Sequence, residues 1–241
     1  MTDSFVSKDP ETIAGMFDAI AARYDFLNHL LSAGIDRRWR RQAIRSLSLR
    51  GGERVLDLCT GTADLAIAAR TGAPVPARIV GVDFASEMLR IGRQKLARQN
   101  LDDVIVLIRG DATRIPVRSE SVDAVTIAFG IRNVDQPEAA CREMHRVLRP
   151  GGRVAILEFA VPTMRGVRAA YLGYFRHVLP RIGRLISGHG VAYGYLPASV
   201  AAFASSAEFV EVLRRTGFVG IRAVPLTLGV VLLYTARRSE S

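Results

Sequence analysis

The stretch VLDLCTGTADL, residues 55–65, decides the fold of this chain. It starts as a β-rich run that ends in Asp57, crosses a turn of small residues containing Gly61 and Thr62, and continues with the composition of a helix start. A strand that leads through such a turn into a helix opens an α/β sheet, and open α/β sheets bind ligands at the carboxyl ends of their strands. The stretch therefore predicts a sheet with a ligand site at this turn.

The rest of the chain repeats this alternation of strand and helix. Further β-rich runs, separated by helix-like segments, lie at residues 78–82, 104–108, 122–129 and 153–159. Strands that alternate with helices form a parallel sheet with right-handed crossovers. Two apolar runs, residues 218–226 and 229–236, are spaced for a hairpin around Thr227 and Leu228, which makes the last strand antiparallel. We expect a doubly wound α/β fold with a mostly parallel, seven-stranded, Rossmann-like sheet.

Helical segments precede and interrupt this alternation. Asp9 and Pro10 form an N-cap and first-turn signal, and apolar residues then recur at helical spacing as far as about residue 49. The rhythm breaks again over residues 162–205, which read as inserted helical material. We expect one domain over residues 1–241, consisting of N-terminal helices (1–50), a cofactor-binding core (51–160), a helical insertion that covers the substrate (161–206) and a closing helix with a β-hairpin (207–241).

The composition indicates a folded protein, and we expect it in the cytoplasm. Hydrophobic residues make up 49% of the 241 residues and charged residues 23%. The sequence shows neither a secretory signal nor an apolar run of about 20 residues. Its two cysteines, Cys59 and Cys141, have no histidine at metal-ligand spacing, so we expect two buried thiols and no metal.

Aspartates end three successive strands of the expected sheet. Asp57 is followed by Asp83 in GVDFASEML, where a carboxylate can accept both hydroxyls of a ribose, and by Asp111 in RGDATRIP, which can meet an adenine amino group beside Ala112. The first turn, CTGTAD, lacks the G-x-G-x-x-G pattern that holds a pyrophosphate. Acidic side chains there repel a diphosphate and attract the sulfonium and ammonium groups of S-adenosylmethionine. The pattern favours this methyl donor over a dinucleotide.

Four motifs carry a resemblance to known proteins. LRPGG (residues 148–152) is a hallmark of class I methyltransferases, and the chain resembles this superfamily. The other three are MFDAIAARYDFLNHLLSAGIDRRWR (16–40), DLCTGTADLA (57–66) and FGIRNV (129–134). Through these three, and over nearly its full length, the chain resembles the demethylmenaquinone and polyprenyl-benzoquinol C-methyltransferase family. The resemblance implies that Thr62, Asp83, Asp111 and Ala112 contact the cofactor.

Four positions depart from the pattern of this family. Ala128 stands where some members have serine, so we expect only a backbone contact with the cofactor there. Ala63 replaces the usual glycine, and we expect its methyl group to be tolerated and to add a little helix propensity. Val200 stands where the family usually has arginine. The family also usually has a proline near position 204, where this chain has Ala204.

The FGIRNV motif follows the fourth strand, so we expect Arg132 and Asn133 beside the methyl group to be transferred. Methyl transfer to an aromatic carbon needs an electron-rich quinol or its phenolate. Arginine is a poor base because its pKa exceeds about 12. We therefore assign Arg132 to stabilising phenolate charge or orienting a water, and Asn133 to hydrogen bonding with a ring oxygen. A surface ion pair of Arg132 with Asp135 is the alternative.

The resemblance also places the N-terminal helices over the site, including Tyr24, Asp25, Asn28 and His29. We expect Tyr24 to contact the substrate, and His29 is a weaker candidate base. Core packing of Tyr24, a helix-cap role for Asp25 and an ordinary interhelix role for His29 are the alternatives.

The substrate that the resemblance implies is a prenylated quinol, methylated on a ring carbon, with demethylmenaquinol to menaquinol as the first choice. A benzoquinol of the ubiquinone pathway or another small phenol is the alternative, as is a binding protein that keeps the fold without turnover. The net charge of +10 suggests a further alternative, a methyltransferase that acts on nucleic acid. Of the 33 basic residues all but Lys8 and Lys95 are arginines, which is typical of a coding bias and weakens a functional interpretation of the charge. The sequence also shows no aromatic catalytic loop, so we expect no nucleic-acid partner.

Residues 164–187, MRGVRAAYLGYFRHVLPRIGRLIS, mix aromatic side chains with arginines. A basic amphipathic helix suits a bilayer surface. We therefore expect peripheral attachment to the inner face of the membrane, close to a polyprenyl substrate. Packing on the sheet, or on a second subunit in a homodimer, is the alternative.

Overall fold

A computed structural model of the chain describes residues 9–72, 74–178 and 190–240. Within these residues one sheet contains β1 (Arg54–Leu58), β2 (Arg78–Asp83), β3 (Ile105–Arg109), β4 (Val122–Ala128), β5 (Leu148–Phe159), β6 (Phe218–Leu226) and β7 (Val231–Arg238). The strand order is β3-β2-β1-β4-β5-β7-β6. The first five strands are parallel, and β7 is antiparallel to β5 and β6. The predicted doubly wound sheet and its antiparallel last strand are confirmed.

Two strand boundaries near the expected site differ from the prediction. β4 ends at Ala128, one residue early, because Phe129 adopts left-handed backbone with a φ of 58°, which turns the chain out of the sheet. β5 begins at Leu148, so that LRPGG lies inside the strand and not before it. The register between β4 and β5 shifts after Val122 to accommodate these additional residues.

The described residues form eight α-helices. They are α1 (Pro10–Leu31), α2 (Asp36–Ser46), α3 (Asp64–Thr71), α4 (Ser86–Arg98), α5 (Pro137–Val147), α6 (Arg165–Gly173), α7 (Gly190–Ala202) and α8 (Ser206–Arg215). Short 3₁₀ turns lie at Ile131–Asn133 and Thr227–Gly229, and a π turn lies at Tyr174–Val178. Asp9 caps α1 as predicted, since its side chain accepts a hydrogen bond from the Thr12 amide at 2.9 Å.

Both faces of the sheet are buried, as parallel strands require. Successive residues of β1 point to opposite faces: Val55 belongs to an apolar cluster with residues of α2, α3 and α4, while Leu56 packs in a second cluster with residues of α5 and α8. The two helical layers cover the faces of the sheet, and the turns that follow the strands lie at its carboxyl edge. The strand order reverses between β1 and β4, where ligands bind in such sheets.

Helix α1 is fixed over this edge by its contacts with α4. The Asp18 carboxylate accepts a hydrogen bond from the Glu87 amide at 2.8 Å, at the positive N-terminal end of α4. Ala21 packs in an apolar cluster with Ala85 and Met88. The predicted placement of the N-terminal helices beside the expected ligand site is thus observed.

The insertion after β5 is helical in its described parts, α6 and α7. α6 buries none of its described side chains, whereas Tyr195 and Ser199 of α7 contact the turn that follows β4. Arg181 and Arg184 of the predicted amphipathic segment lie outside the described residues.

In the described part of the chain, no single helix has the length and apolarity needed to cross a bilayer. The consecutive helical segments Tyr195–Ala202 and Ser206–Arg215 meet those criteria only as a pair, on length and composition alone, and are bent by 64° at their junction.

Candidate active site

A cavity of about 1000 Å³ opens at the carboxyl edge of the sheet. Its wall combines the turn after β1, the ends of β2 and β3, the turn after β4 and the inner face of α1, and it includes the apolar side chains of Phe17 and Met88. A smaller cavity of about 330 Å³ adjoins it. The two cavities share Tyr24, Cys59 and Gly61 in their walls. They therefore form one continuous site with a wide and a narrow part.

All seven residues predicted to bind the cofactor line one or both cavities. Gly61, Asp83, Asp111, Ala112 and Ala128 line the larger one, and Asp57, Gly61, Thr62 and Ala128 line the smaller one. The structure thus brings the three strand-end aspartates to a common site, although contact of these residues with a cofactor stays a prediction.

Asp83 joins the turn after β1 to the start of α4. One carboxylate oxygen accepts the Gly61 amide at 2.7 Å, and the other accepts the Ala85 amide at 2.8 Å. Burial raises the pKa of Asp83, and these two amide hydrogen bonds oppose the rise. Each oxygen keeps a second lone pair. The carboxylate is therefore fixed in place and still able to accept ribose hydroxyls.

Asp57 is buried beneath the smaller cavity. Its oxygens accept hydrogen bonds from the Thr60 hydroxyl at 2.6 Å and the Thr126 hydroxyl at 2.8 Å. Burial raises the pKa of this carboxyl to about 6, while the two hydroxyls and the positive charge of Arg40 oppose the rise. A cation in the smaller cavity would favour its ionised form.

The turn after β1 holds several residues in left-handed backbone. Cys59, Gly61 and Ala63 have φ values of 52°, 54° and 69°. Ala63 is the N-cap of α3 and not a helical residue, so the predicted gain in helix propensity is wrong. Left-handed backbone disfavours a side chain with a Cβ atom, which explains why glycine suits this position.

Thr62 connects this turn to both α1 and α4. Its hydroxyl donates a hydrogen bond to Asp25 and accepts one from Lys95 at 3.2 Å. Lys95 also pairs with Asp25 at 2.5 Å and with Asp64 at 2.6 Å. The helix-cap alternative for Asp25 is therefore wrong, because this residue lies within α1 and its carboxylate belongs to a partly buried ion-pair cluster.

Arg132 is buried behind the cavity wall and is not among the described residues that line either cavity. Its Nη1 atom donates to Glu158 Oε1 at 2.7 Å and to the Phe129 carbonyl at 2.5 Å, and its Nε donates to the Ser199 hydroxyl at 3.3 Å. The alternative surface pair with Asp135 is wrong, since the partner of the guanidinium is Glu158 on β5.

Asn133 lines the larger cavity and is held from two sides. Its amide nitrogen donates to the Phe129 carbonyl at 3.4 Å, and its amide oxygen accepts from the Tyr195 hydroxyl at 3.1 Å. The sequence interpretation missed Tyr195, Ser199 and Glu158. Only Glu158 carried a signal, because an acidic residue within the apolar run VAILEF requires a buried partner.

Tyr24 lines both cavities from α1, and Phe17 meets its ring edge-on at a centroid distance of 6.0 Å. Burial raises the pKa of the Tyr24 phenol, so that at neutral pH it is a hydrogen-bond donor. His29 lines neither cavity; its Nδ1 lies 2.8 Å from the buried Asp36 carboxylate. This placement matches the interhelix alternative for His29.

The two cysteines differ in burial. Cys141 is buried as predicted, but Cys59 is only partly buried because it contributes to the cavity walls. Burial and the neighbouring carboxylates raise the pKa of the Cys59 thiol, which keeps it protonated.

The lining of the site fits S-adenosylmethionine. In the larger cavity the charged side chains of the described lining are all acidic, with Asp83 and Asp111 among them, which suits hydroxyl and amino groups and opposes a phosphate. In the smaller cavity Asp57 and Asp64 suit cationic groups. The fold and this site together define a class I methyltransferase that uses S-adenosylmethionine.

Comparison with known proteins identifies the family. The sequence profile of the ubiE/COQ5 methyltransferase family matches residues 5–238, and the chain belongs to this family. The ubiquinone/menaquinone biosynthesis C-methyltransferase UbiE of Syntrophotalea carbinolica is 48% identical over 224 residues, which cover 93% of each chain. The demethylmenaquinone methyltransferase of Deinococcus radiodurans is 46% identical over 220 residues, covering 91% of this chain and 90% of the relative.

A solved structure supports the fold independently. The S-adenosylmethionine-dependent methyltransferase of Thermotoga maritima has a TM-score of 0.63 to this chain and covers 93% of it and 99% of itself, at 17% identity. At this identity the similarity establishes the architecture alone.

The buried pair of Arg132 and Glu158 is expected to contribute strongly to stability. Glu158→Ala leaves a buried guanidinium without its counter-charge, which lowers the free energy of unfolding by about 3–5 kcal/mol in urea denaturation. Glu211→Ala is the matched control, because the Glu211–Arg214 pair is exposed. Its expected loss is about 1 kcal/mol or less. Equal losses in the two variants would contradict the assignment.

Asp57 is expected to make stability depend on pH. Its folded-state pKa of about 6 lies above the ordinary 3.8, so the folded state holds the proton more tightly. Stability therefore falls as the pH rises from about 4 to about 6 and is constant above that range. Asp57→Asn removes this titration. Between about pH 4 and pH 8 the variant should gain up to about 3 kcal/mol relative to the parent in urea unfolding, and a pH-independent difference would refute the buried ionisation.

Proposed function

We propose that this methyltransferase adds a methyl group to a ring carbon of a prenylated quinol, with demethylmenaquinol to menaquinol as the first choice. The observation that carries the proposal is the convergence of the Asn133 amide and the Tyr24 phenol on one large, mostly apolar cavity beside the cofactor turn. An aromatic ring fits such a wall, and two neutral hydrogen-bonding groups fit its oxygens. The names of the relatives in Syntrophotalea and Deinococcus support a quinone-type acceptor.

In this mechanism the protein positions and shields the reactants. Bound S-adenosylmethionine would supply an activated methyl group, and S-adenosylhomocysteine would leave once the ring carbon has taken that group. The same carbon must then lose its proton to water or to a base, which restores the aromatic ring. Because the donor is already activated, a well-placed nucleophilic carbon is the main requirement. Tyr24 donates a hydrogen bond to one ring oxygen, and Asn133 contacts the other. The apolar side chains of Phe17 and Met88 keep water from the reacting atoms.

Arg132 acts in this proposal through the turn after β4. Its contacts with Glu158 and the Phe129 carbonyl hold the backbone on which Asn133 stands. Because Glu158 balances its charge, the guanidinium contributes little net attraction for a phenolate. We therefore propose Arg132 as a positioning residue, with direct phenolate stabilisation or orientation of a water as the competing role.

Variants of these residues test the proposal in a methyl-transfer assay with a prenylated naphthoquinol kept reduced. Asn133→Ala and Tyr24→Phe should each lower kcat by about 100-fold, as expected for loss of a preorganised hydrogen bond, with cofactor affinity unchanged in calorimetry. Gln94→Ala, on the exposed face of α4, is the control. Full turnover in both site variants would refute the proposed contacts.

The pH profile of Arg132→Lys separates its two roles. A positioning residue should lower kcat while the pH dependence of kcat keeps its apparent pKa. An upward shift of that pKa would show direct stabilisation of the phenolate and contradict the positioning role.

Product analysis distinguishes the acceptors. A methylated naphthoquinol is the expected product, whereas turnover of only a benzoquinol, an unprenylated phenol or a nucleic acid would replace the substrate assignment. Cofactor binding without methylation of any of them would favour the binding-protein alternative.

We also propose that the carboxyl edge of the sheet docks on an anionic membrane surface. Large apolar side chains are exposed there: Met164 at 59%, Leu172 at 45% and Leu228 at 66%. The arginines at positions 165 and 168 are exposed in the same segment. Gly229 of the hairpin tip approaches Pro162, so the tip and the insertion form one surface. Apolar and basic groups side by side suit an interface of lipid headgroups and acyl chains.

Sedimentation with vesicles tests this surface. The double variant Met164→Ser/Leu228→Ser should bind phosphatidylglycerol vesicles about tenfold more weakly than the parent, because it loses apolar area that would be buried in the bilayer. Val219→Ser is the control, since Val219 is also an apolar residue with an exposed side chain, at 44%, but lies near the start of β6, away from the hairpin tip. Unchanged binding in the double variant, or a change of mass that reports loss of a homodimer, would reject the membrane surface.

A further inference from the structure

Arg40 places a positive charge at the narrow end of the active site. It ends the motif of residues 16–40, it is 6% exposed, and it lines the smaller cavity together with Asp57 and Thr62. Among the described residues that line the two cavities, it is the basic one. Any anionic group of a ligand in this site therefore has Arg40 as its natural partner.

The guanidinium of Arg40 is fixed before a ligand arrives. Asp36 accepts a hydrogen bond from its Nη1, the carboxylate of Asp64 lies 3.7 Å from its Nη2, and the ring of Phe129 lies 5.8 Å from its central carbon. Because the side chain is already held in one orientation, it loses less conformational entropy on binding a ligand than a flexible arginine would.

The negative charges around Arg40 are shared with other donors. Asp36 also accepts hydrogen bonds from Ser32 at 2.8 Å and contacts His29, and Asp64 is paired with Lys95 at 2.6 Å. The guanidinium of Arg40 has five N–H groups, more than these contacts use, so that it can still donate to an anionic group of a ligand. Planar bidentate recognition of a carboxylate is the geometry for which arginine is best suited.

Methionine-type ligands carry a carboxylate and an ammonium group on one carbon. The smaller cavity has a cation, Arg40, and an acidic group, Asp57, in the same wall, whereas the charged side chains of the described lining of the larger cavity are acidic. We infer that Arg40 binds the carboxylate of the methionine part of S-adenosylmethionine, with Asp57 facing the ammonium group. The smaller cavity then takes the amino-acid end, and the larger one takes the adenosine and the acceptor ring.

Calorimetry with two ligands tests this inference without an acceptor. S-adenosylhomocysteine carries the amino-acid end, and 5′-methylthioadenosine lacks it. Arg40→Met should weaken S-adenosylhomocysteine by about 10- to 100-fold, the loss of a charge-assisted hydrogen bond, and leave 5′-methylthioadenosine within about twofold. Arg41→Met is the matched control, since the neighbouring Arg41 is exposed. Equal weakening of both ligands, or of neither, would overturn the inference.

A second variant protects the test from misfolding. Arg40→Met leaves the buried Asp36 without its arginine partner, so Asp36→Asn/Arg40→Met removes the unpaired charge as well. A selective loss of S-adenosylhomocysteine in this folded double variant supports the carboxylate contact. Retention of both affinities contradicts it. The inference concerns the methyl donor alone, so it stands or fails independently of the quinol.

Discussion

The turn after β1 and the turn after β4 touch where Gly130 lies against Cys59. A Cβ atom on residue 130 would collide with the Cβ of Cys59, so this approach requires glycine. The two turns follow neighbouring strands at the point where the strand order reverses. Their contact places Thr62, from the cofactor turn, and Asn133, from the opposite turn, in the walls of one continuous site. A bulkier residue at 130 would separate the proposed methyl donor from its acceptor.

Partly buried polar contacts hold the covering elements on these turns. Lys95 and Asp25 attach α1 to the Thr62 hydroxyl, while Tyr195 of α7 attaches the insertion to Asn133. If one partner of such a contact is removed, the other polar group is left partly buried without its hydrogen bond, and that loss costs more than the loss of an exposed pair. The conformation of each turn is consequently coupled to the position of the helix above it. The sequence motifs that contain these residues therefore both line the site and hold the helices in place. A motif by itself does not tell which of the two roles a residue has.

Sequence predicts the parts of this site that follow from strand direction. Asp57, Asp83 and Asp111 line the cavities because parallel strands bring their carboxyl ends to one edge. The partners of long side chains are harder to predict. Arg132 has Asp135 three positions away, yet its partner is Glu158, which adjoins it only after β4 and β5 have paired. Backbone conformation is equally hard to predict. The composition of the segment predicts that Ala63 is helical, whereas its positive φ places it before the helix.

The pairing of Arg132 with Glu158, behind the wall of the larger cavity, suits the proposed chemistry. Transfer of a methyl group from a sulfonium cation to a phenolate removes both charges, and surroundings of low polarity favour such a step because they stabilise separated charges least. An unpaired guanidinium beside the ring would stabilise the phenolate and make its carbon less nucleophilic. Pairing Arg132 with Glu158 avoids this effect while retaining the hydrogen bonds that hold Asn133 in the wall. Neutral donors such as Tyr24 can then orient the ring without quenching its reactivity.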